Sequence, residues 1–445
     1  MQTARQIVLD TLVRVERDGA YSGLALKEAL SRESLSRQDA AFASMLFYGV
    51  IERSITLDSV IKTHSKLPPE RMDAPVRSVL RMGLYQLMFM DSVPDSAAVN
   101  ESVELCKRVG KVSASGMVNA VLRAFIRADK QIRLIGPPEN AARMSVEFSC
   151  PPELVSLLSR RFGGAQARDI LAQSIGPAPL YARVNTLKTT MGELIDSLTA
   201  EGVEATAHEA IPDCISLSNT GDITALKTFA EGLFHIQDAS SQLCALALDA
   251  KPDMMVLDLC AAPGGKSFTI AQTMQNKGRL LSFDLYDFKT KLIEEGARRL
   301  GLTVVKAQVG DAGAYNKTLP GADRVLCDAP CSGYGVMRRK PEIKYKPPGS
   351  FTDLEHLQRR LLKNAACYVN DGGLLLYSTC TLRREENEQV ARKFLNENPG
   401  FSPRPLPEVF SRCVKEAENM ATILPGDFDS DGFFVAAFCK TGAAR

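Results

Sequence analysis

Five short runs in the second half of the chain limit what it can fold into. They are "MMVLDL" (254–259), "RLLSFDL" (279–285), "TVVKAQV" (303–309), "DRVLCDA" (323–329) and "GLLLYST" (373–379). Each is almost continuously apolar, and stretches with helical spacing separate them. A strand with one wet face alternates polar and apolar residues, whereas a continuous apolar run suits a strand covered on both faces. The expected fold class is therefore α/β: a mostly parallel, Rossmann-like sheet between helical layers, with ligands bound at the carboxyl ends of the strands. "DGFFVAAFCK" (431–440) adds a strand near the end.

That sheet cannot account for the whole chain. At 445 residues it exceeds a single core. Its 45% apolar and 24% charged residues are ordinary for a globular protein. No apolar stretch is long enough to span a bilayer. "MQTARQIVLDTLVRVERDG" mixes charges into helical spacing and does not read as a signal peptide. A cytoplasmic monomer without membrane contact is expected. The eleven cysteines form no CxxC pair, and a proline separates Cys327 from Cys331, so no metal site is expected. The formal charge of +2 leaves any RNA contact to local patches. "MRRKPEIKYK" (337–346), "QRRLLK" (358–363) and "LRREE" (382–386) are candidates, though each also reads as a solvated face.

Residues 1–135 read as helix after helix, with Pro68-Pro69 and Pro94 as punctuation. Two Pro-Pro pairs in 134–155 suggest a linker, and a short helix pair follows over 152–174. The expected segments are thus an all-α domain (1–135), a linker with short helices (136–175), a small α+β domain (176–236) and the α/β domain (237–445). The small domain reads as βαββαβ, the split arrangement that RNA-recognition sheets also use, but it lacks their stacking aromatics.

Chemistry gathers at the strand ends. The first strand opens into "CAAPGGKSFTIAQ", whose small residues and glycines admit a ligand to the backbone and to a helix N-terminus. The second ends at Asp284, about 25 residues further on, where nucleotide-binding folds place an acid for ribose hydroxyls. Asp311 follows the third strand, Asp328 the fourth and Cys380 the fifth. Three acids beside a Gly-rich loop suit a neutral or cationic nucleoside, and no P-loop lysine motif supports a triphosphate.

"LDLCAAPGGKS", "DAPCSGYGVMRRKPEIKY" and "YSTCTLRREENEQVA" resemble the motifs of the bacterial RNA cytosine-5 methyltransferases. "YARVNTLK", "FHIQDASSQL" and "LPGDFDSDGFFVAAF" are similar to the same family, in particular its branch acting on small-subunit ribosomal RNA. "LRMGLYQLMFMDSVPDSAAVNESVELCKRVG" and "GMVNAVLRAFIR" resemble its NusB-like helical domain. The resemblance implies S-adenosyl-L-methionine as cofactor and RNA as partner. It implies that the cofactor is held by Cys260, Ala261, Ala262, Pro263, Gly264, Gly265, Lys266, Asp284, Asp311 and Asp328. Cys260 and Cys327 also read as core-lining neighbours. Cys380 would be the nucleophile, Cys331 would assist product release, and Asp328 and Lys266 would lie at the reacting base. Arg183, Asn185, Arg338, Arg339 and Lys340 would contact substrate.

The chemistry requires such a thiol. Carbon-5 of cytosine is a poor nucleophile until a thiolate adds at carbon-6 and makes the ring enamine-like. A free thiol is only a few per cent ionised at neutral pH, so an activating environment is needed. Two other readings remain open: the same chemistry on tRNA or DNA, and a non-catalytic RNA-binding or antitermination protein. Intact thiols and cofactor loop weigh against the second.

Overall fold

The computed structural model describes residues 2–19, 22–33 and 35–441. It contains two compact units, one of residues 1–175 with 340–347, the other of 176–339 with 348–445.

The first unit is helical. Helix Ala4–Asp18 starts at Thr3, whose side chain accepts the Gln6 N–H, and stops at Gly19 in the left-handed region. Arg37–Glu52, Ser54–His64, Ala74–Phe89, Asp95–Arg108 and Ser115–Arg127 bury Phe47, Leu57, Leu84, Leu122 and Phe125 in one core. The proline-rich stretch 134–155, expected as a linker, carries helix Ala141–Glu147 instead. Asn140 caps it by accepting the Ala142 and Arg143 N–H groups, and Met144 is fully buried, so capping and burial outweigh the prolines. Ser149 Oγ then accepts the Ile55 N–H at 2.9 Å. Helices Pro152–Phe162 and Gly164–Gln173 complete the series. Residues 340–347 pack with this unit: Lys344 Nζ and the Tyr345 hydroxyl both donate to the Glu52 carbonyl, at 2.6 and 3.0 Å.

The second unit holds two sheets. Strands β1 (Leu180–Val184), β2 (Glu204–Ala207), β3 (Cys214–Ser218) and β4 (Phe234–Ile236) pair antiparallel in the order β2-β3-β1-β4. Helix Met191–Ala200, opened by a Thr190–Glu193 capping box, follows β1. The large sheet comprises β5 (Met255–Asp258), β6 (Arg279–Asp284), β7 (Val305–Val309), β8 (Ala322–Asp328), β9 (Val369–Thr379), β10 (Phe401–Pro403), β11 (Val414–Ala417), β12 (Met420–Ile423) and β13 (Phe433–Lys440). Its order is β11-β12-β13-β9-β8-β5-β6-β7, with β10 beside β13. The β9-β8-β5-β6-β7 half is parallel, and β13, β12 and β11 extend it antiparallel.

Sequence patterning misses β10–β12, which are three or four residues long and draw their register from a neighbour, β13 for β10 and β12 and β12 for β11, rather than from a periodicity of their own. It also overstates the burial of β7. That strand forms the sheet edge and exposes Lys306, Gln308 and Val309. The central strands β5 and β8 are buried as their apolar runs require. No single helix among the described residues is long and apolar enough to cross a membrane.

Two residues expected to contact substrate are structural instead. Arg183 is 3% exposed and donates to the Pro212 carbonyl at 2.9 Å, with Asp213 3.5 Å away. Asn185 is fully buried, and its Nδ2 donates to the carbonyls of Gly232 (2.8 Å) and Leu300 (2.9 Å). The small sheet is thereby fastened to the end of helix Asp287–Leu300. Asn185→Ala leaves two carbonyls without their donor, a loss of about 1–3 kcal/mol. Urea unfolding should register that loss; a substrate-contacting asparagine would leave stability near wild type.

Candidate active site

The site is built where β8 and β9 end side by side. Their parallel register sets Asp328 opposite Ser378, and the chain then turns through Pro330-Cys331 on one side and Cys380-Thr381 on the other. The two turns bring the Cys331 and Cys380 sulfurs to 3.3 Å. Both thiols remain partly exposed, unlike Cys244 and Cys327, which are fully buried.

Backbone bonds lock the turns. The Gly335 N–H donates to the Cys380 carbonyl, and the Gly432 N–H to the Gly335 carbonyl, both at 2.9 Å. A Cβ at Gly335 would lie 1.9 Å from the Gly432 oxygen, so only glycine fits this crossing. Side chains add a second layer. Ser332 Oγ and Thr381 Oγ1 are 2.7 Å apart, Thr379 Oγ1 donates to Asn387 Oδ1 at 2.6 Å, and Asn387 Nδ2 donates to the Thr381 carbonyl at 2.8 Å.

An ion pair sits at the same strand ends. Lys266 Nζ is 2.7 Å from Asp328 Oδ2 and 4.8 Å from the centre of the Phe433 ring. Ser378 Oγ donates to the other oxygen, Asp328 Oδ1, at 2.7 Å. Burial works against the Lys266 charge, but Asp328 outweighs it, with Cys244 and then Cys380 smaller contributors, so the ammonium is held above its ordinary range. The Cys331 thiol is also held well above the ordinary range, first by its hydrogen bond with Cys380 and then by desolvation. At the tip of β5, burial pushes the Asp258 carboxyl up to about 7, against the hydrogen bond it accepts from Ser267 Oγ.

The Gly-rich loop follows β5. Gly264 has φ +110°, and a Cβ there would lie 2.4 Å from the Phe268 ring, so the chain can turn into helix Gly265–Thr273 only with glycine. Ala261 is buried and Ala262 packs against the core. Pro263 precedes the glycine turn. Cys260 packs against the core around Leu257, Leu259 and Cys327, and burial raises its thiol pKa well above the usual range, which favours its core-lining reading. Asp284 ends β6, nearly buried, with Oδ1 accepting from the Tyr286 N–H at 3.3 Å and 3.5 Å from Lys289 Nζ. On the neighbouring strand end Asp311 is exposed and lines a cavity of about 440 Å³ with Leu259, Phe283 and Tyr315.

The basic cluster 338–340 is divided rather than shared. Arg339 Nε lies 2.5 Å from Asp431 Oδ2, and its Nη2 donates to Asp238 Oδ2 (2.7 Å) and the Pro179 carbonyl (2.9 Å). The Nε and Nη2 of that guanidinium, expected to contact substrate, are thus paired within the protein. Arg338 is 3.5 Å from Asp429, and Lys340 is exposed at the start of the segment that packs with the helical unit.

Sequence reasoning missed Asp258, Ser378, Phe433 and Glu386. Asp258 and Ser378 each sit one or two residues before a residue that was singled out, so a scan of whole strand tips would have found them. Glu386 lies within the polar run "RREENEQV", which reads as solvated yet is fully buried at 386–387.

Comparison with known proteins assigns each part of the chain to a family. The family described as 16S rRNA methyltransferase RsmB/F matches residues 245–439, the NusB family matches 2–127, and an RsmF/B-like ferredoxin-like domain matches 151–224. A probable ribosomal RNA small subunit methyltransferase B of Bacillus subtilis is 39% identical over 99% of both chains. The ribosomal RNA small subunit methyltransferase B of Vibrio cholerae is 31% identical over 94% of both. Among solved structures, PH0851 superposes with a TM-score of 0.79 at 27% identity, covering 97% of this chain and 98% of its own. A methyltransferase homologue from Pyrococcus horikoshii gives 0.59 at 27% identity, covering 69% of this chain and all of its own.

The Arg339 fork has a measurable consequence. Burial first, and then Asp238, push the Asp431 carboxyl up to about 6, while Arg339 opposes both. Arg339→Ala leaves the two carboxylates facing each other without the cation that bridges them, expected to cost about 3 kcal/mol. Because the folded carboxyl titrates above its unfolded value, that cost is small at about pH 5 and grows as pH rises toward about 8. Urea unfolding at the two pH values checks the sign.

Proposed function

The chain belongs to the RsmB/F family of 16S rRNA methyltransferases, and we propose that it methylates carbon-5 of a specific cytosine in small-subunit ribosomal RNA through a covalent Cys380–cytosine adduct. The observation that carries this reading is the pair of thiols at 3.3 Å beside the Lys266–Asp328 ion pair. A structural thiol pair would be buried among apolar side chains. This pair is partly open and has a lysine next to it.

Cys380 is the nucleophile. Its sulfur adds to carbon-6 of the cytosine, and the ring's electron density moves to carbon-5. The neighbouring Lys266 ammonium favours the thiolate form. Asp328, with one oxygen on Lys266 and the other on Ser378, is fixed to accept from the exocyclic amino group of the base. Cys331 acts later, taking the carbon-5 proton so that the Cys380 sulfur can leave. A target within folded RNA has to be turned out of its stack to reach these groups.

The residues present fit S-adenosyl-L-methionine. The small residues of the 260–266 loop lead directly to the N-terminus of helix Gly265–Thr273, a carboxylate ends β6 at Asp284, and another follows β7 at Asp311, which lines a cavity of about 440 Å³. The loop 260–266 with Asp284 and Asp311 would hold it, Asp284 accepting from the ribose hydroxyls. When bound, it supplies an electrophilic methyl group on a sulfonium. Asp284→Ala removes a charged acceptor worth about 1.5–3 kcal/mol, so cofactor affinity should fall ten-fold or more by calorimetry. Unchanged affinity would reduce Asp284 to a surface carboxylate.

The thiols should fail in opposite ways. Cys331→Ala, given cofactor and RNA, is expected to stall as a methylated protein–RNA adduct that survives denaturing electrophoresis. Cys380→Ala and the double variant should give no band and no methylation. A band from Cys380→Ala alone would exchange the two roles. Methylation with no adduct in any variant would remove the covalent mechanism.

A further inference from the structure

Methyl transfer and product release draw on different sulfurs, so the two turns that carry them need separate supports. We propose that Glu386 is a positioning residue for product release: its buried carboxylate holds the Cys331 turn against Cys380. The inference rests on the two-thiol reading above.

Glu386 is 0% exposed. Its Oε2 accepts the Ser332 N–H and Gln358 Nε2, both at 2.9 Å. Gln358 Nε2 also donates to the Pro330 carbonyl at 2.9 Å. The residues on either side of Cys331 are therefore tied, one directly and one through Gln358, to one carboxylate oxygen. The other oxygen accepts from Arg383 Nη1 at 3.1 Å, and Arg383 is itself 6% exposed. A buried carboxylate is tolerated only with such a counter-charge and full hydrogen bonding.

The Cys380 turn meets that side chain only indirectly, through the 2.7 Å contact of Ser332 Oγ with Thr381 Oγ1 and through Arg383. It is held by Thr379 and Thr381 through Asn387, and by the Gly335 N–H on the Cys380 carbonyl. Removing the Glu386 carboxylate thus loosens the Cys331 turn directly and the Cys380 turn only at second hand. Once Cys380 is bonded to carbon-6 it no longer holds the Cys331 thiol protonated, so Cys331 gives its proton to solvent; on release the carbon-5–hydrogen bond breaks and its proton goes to the Cys331 thiolate. The freed electron pair forms the 5,6 double bond, and the carbon-6–sulfur pair returns to Cys380 as thiolate. Proton transfer of this kind requires the acceptor within about 3 Å, so a displaced Cys331 halts the release step while addition proceeds.

The test uses full-length protein, S-adenosyl-L-methionine and in vitro transcribed small-subunit ribosomal RNA, with Cys331→Ala alongside. Glu386→Ala should keep its first methyl transfer within about three-fold of wild type, lose about ten-fold or more in turnover, and accumulate the denaturation-resistant adduct. Glu386→Gln, which keeps an acceptor for the Ser332 N–H, should recover much of the turnover. Gln358→Met preserves buried volume and removes one tie, so it should shift in the same direction by less; it carries the test if Glu386→Ala does not fold. If Cys331→Ala gives the adduct while Glu386→Ala and Gln358→Met lose both steps in proportion without it, Glu386 merely stabilises the fold and the inference falls. If Cys331→Ala itself methylates without an adduct, the two-thiol reading falls first and takes this inference with it.

Discussion

The parallel pairing of β8 with β9 sets the scale on which the site is built. Neighbouring strands lie about 4.8 Å apart, so residues continuing straight from Asp328 and Ser378 would keep their sulfurs out of contact. The chain instead turns on both sides, and the crossing of Gly335 over Gly432 pins one turn beneath the other. A side chain at 335 would collide with the Gly432 carbonyl and force the two segments apart. That backbone crossing sets the 3.3 Å sulfur contact and the hydrogen bond between the thiols.

The electrostatics follow from the same geometry. Asp328 is the last residue of β8, and Lys266 lies in the first turn of the helix after β5, the adjacent parallel strand, so the pair forms across one strand spacing. Buried ion pairs contribute little net stability because desolvation offsets attraction. Their value here is to fix a positive charge next to a sulfur without leaving either partner unpaired. Ser378 supplies the remaining hydrogen bond to the carboxylate, which restricts it to a single orientation. A lone lysine in this position would lose its proton more readily and give less support to a thiolate.

The fold was legible in the sequence wherever burial is two-sided. The runs that became β5, β6, β8 and β9 announce themselves because both faces are covered, and their ends name Asp284, Asp328 and Cys380. β10–β12 stayed hidden because antiparallel strands of three or four residues borrow their register from a neighbour. Asp258, Ser378, Phe433 and Glu386 stayed hidden for a different reason. Their roles depend on contacts between distant segments, such as Ser332 with Glu386 or Lys266 with Phe433, which no local period encodes. Arg183 and Asn185 erred the other way: motif resemblance marks a residue as constrained, and burial decides whether the constraint is folding or substrate.

The segment "MRRKPEIKY" makes that last point most sharply. As sequence it is a run of positive charge suited to a phosphate backbone. In the fold its basic residues have separate employments. Arg339 spans Asp238 and Asp431 in the second unit, and Arg338 faces Asp429. Lys344 is 3% exposed in the first unit and donates to the carbonyl of Glu52, the last residue of helix Arg37–Glu52. A cation at a helix C-terminus meets unsatisfied carbonyls and the negative end of the macrodipole. Burial still pulls the Lys344 ammonium down to about 8, so this cap operates close to the limit at which the charge survives. Only Lys340 stays exposed for an external anion. Charge counted along a chain measures what is available to a partner only after the protein's own acceptors have been subtracted, and here the subtraction removes most of it.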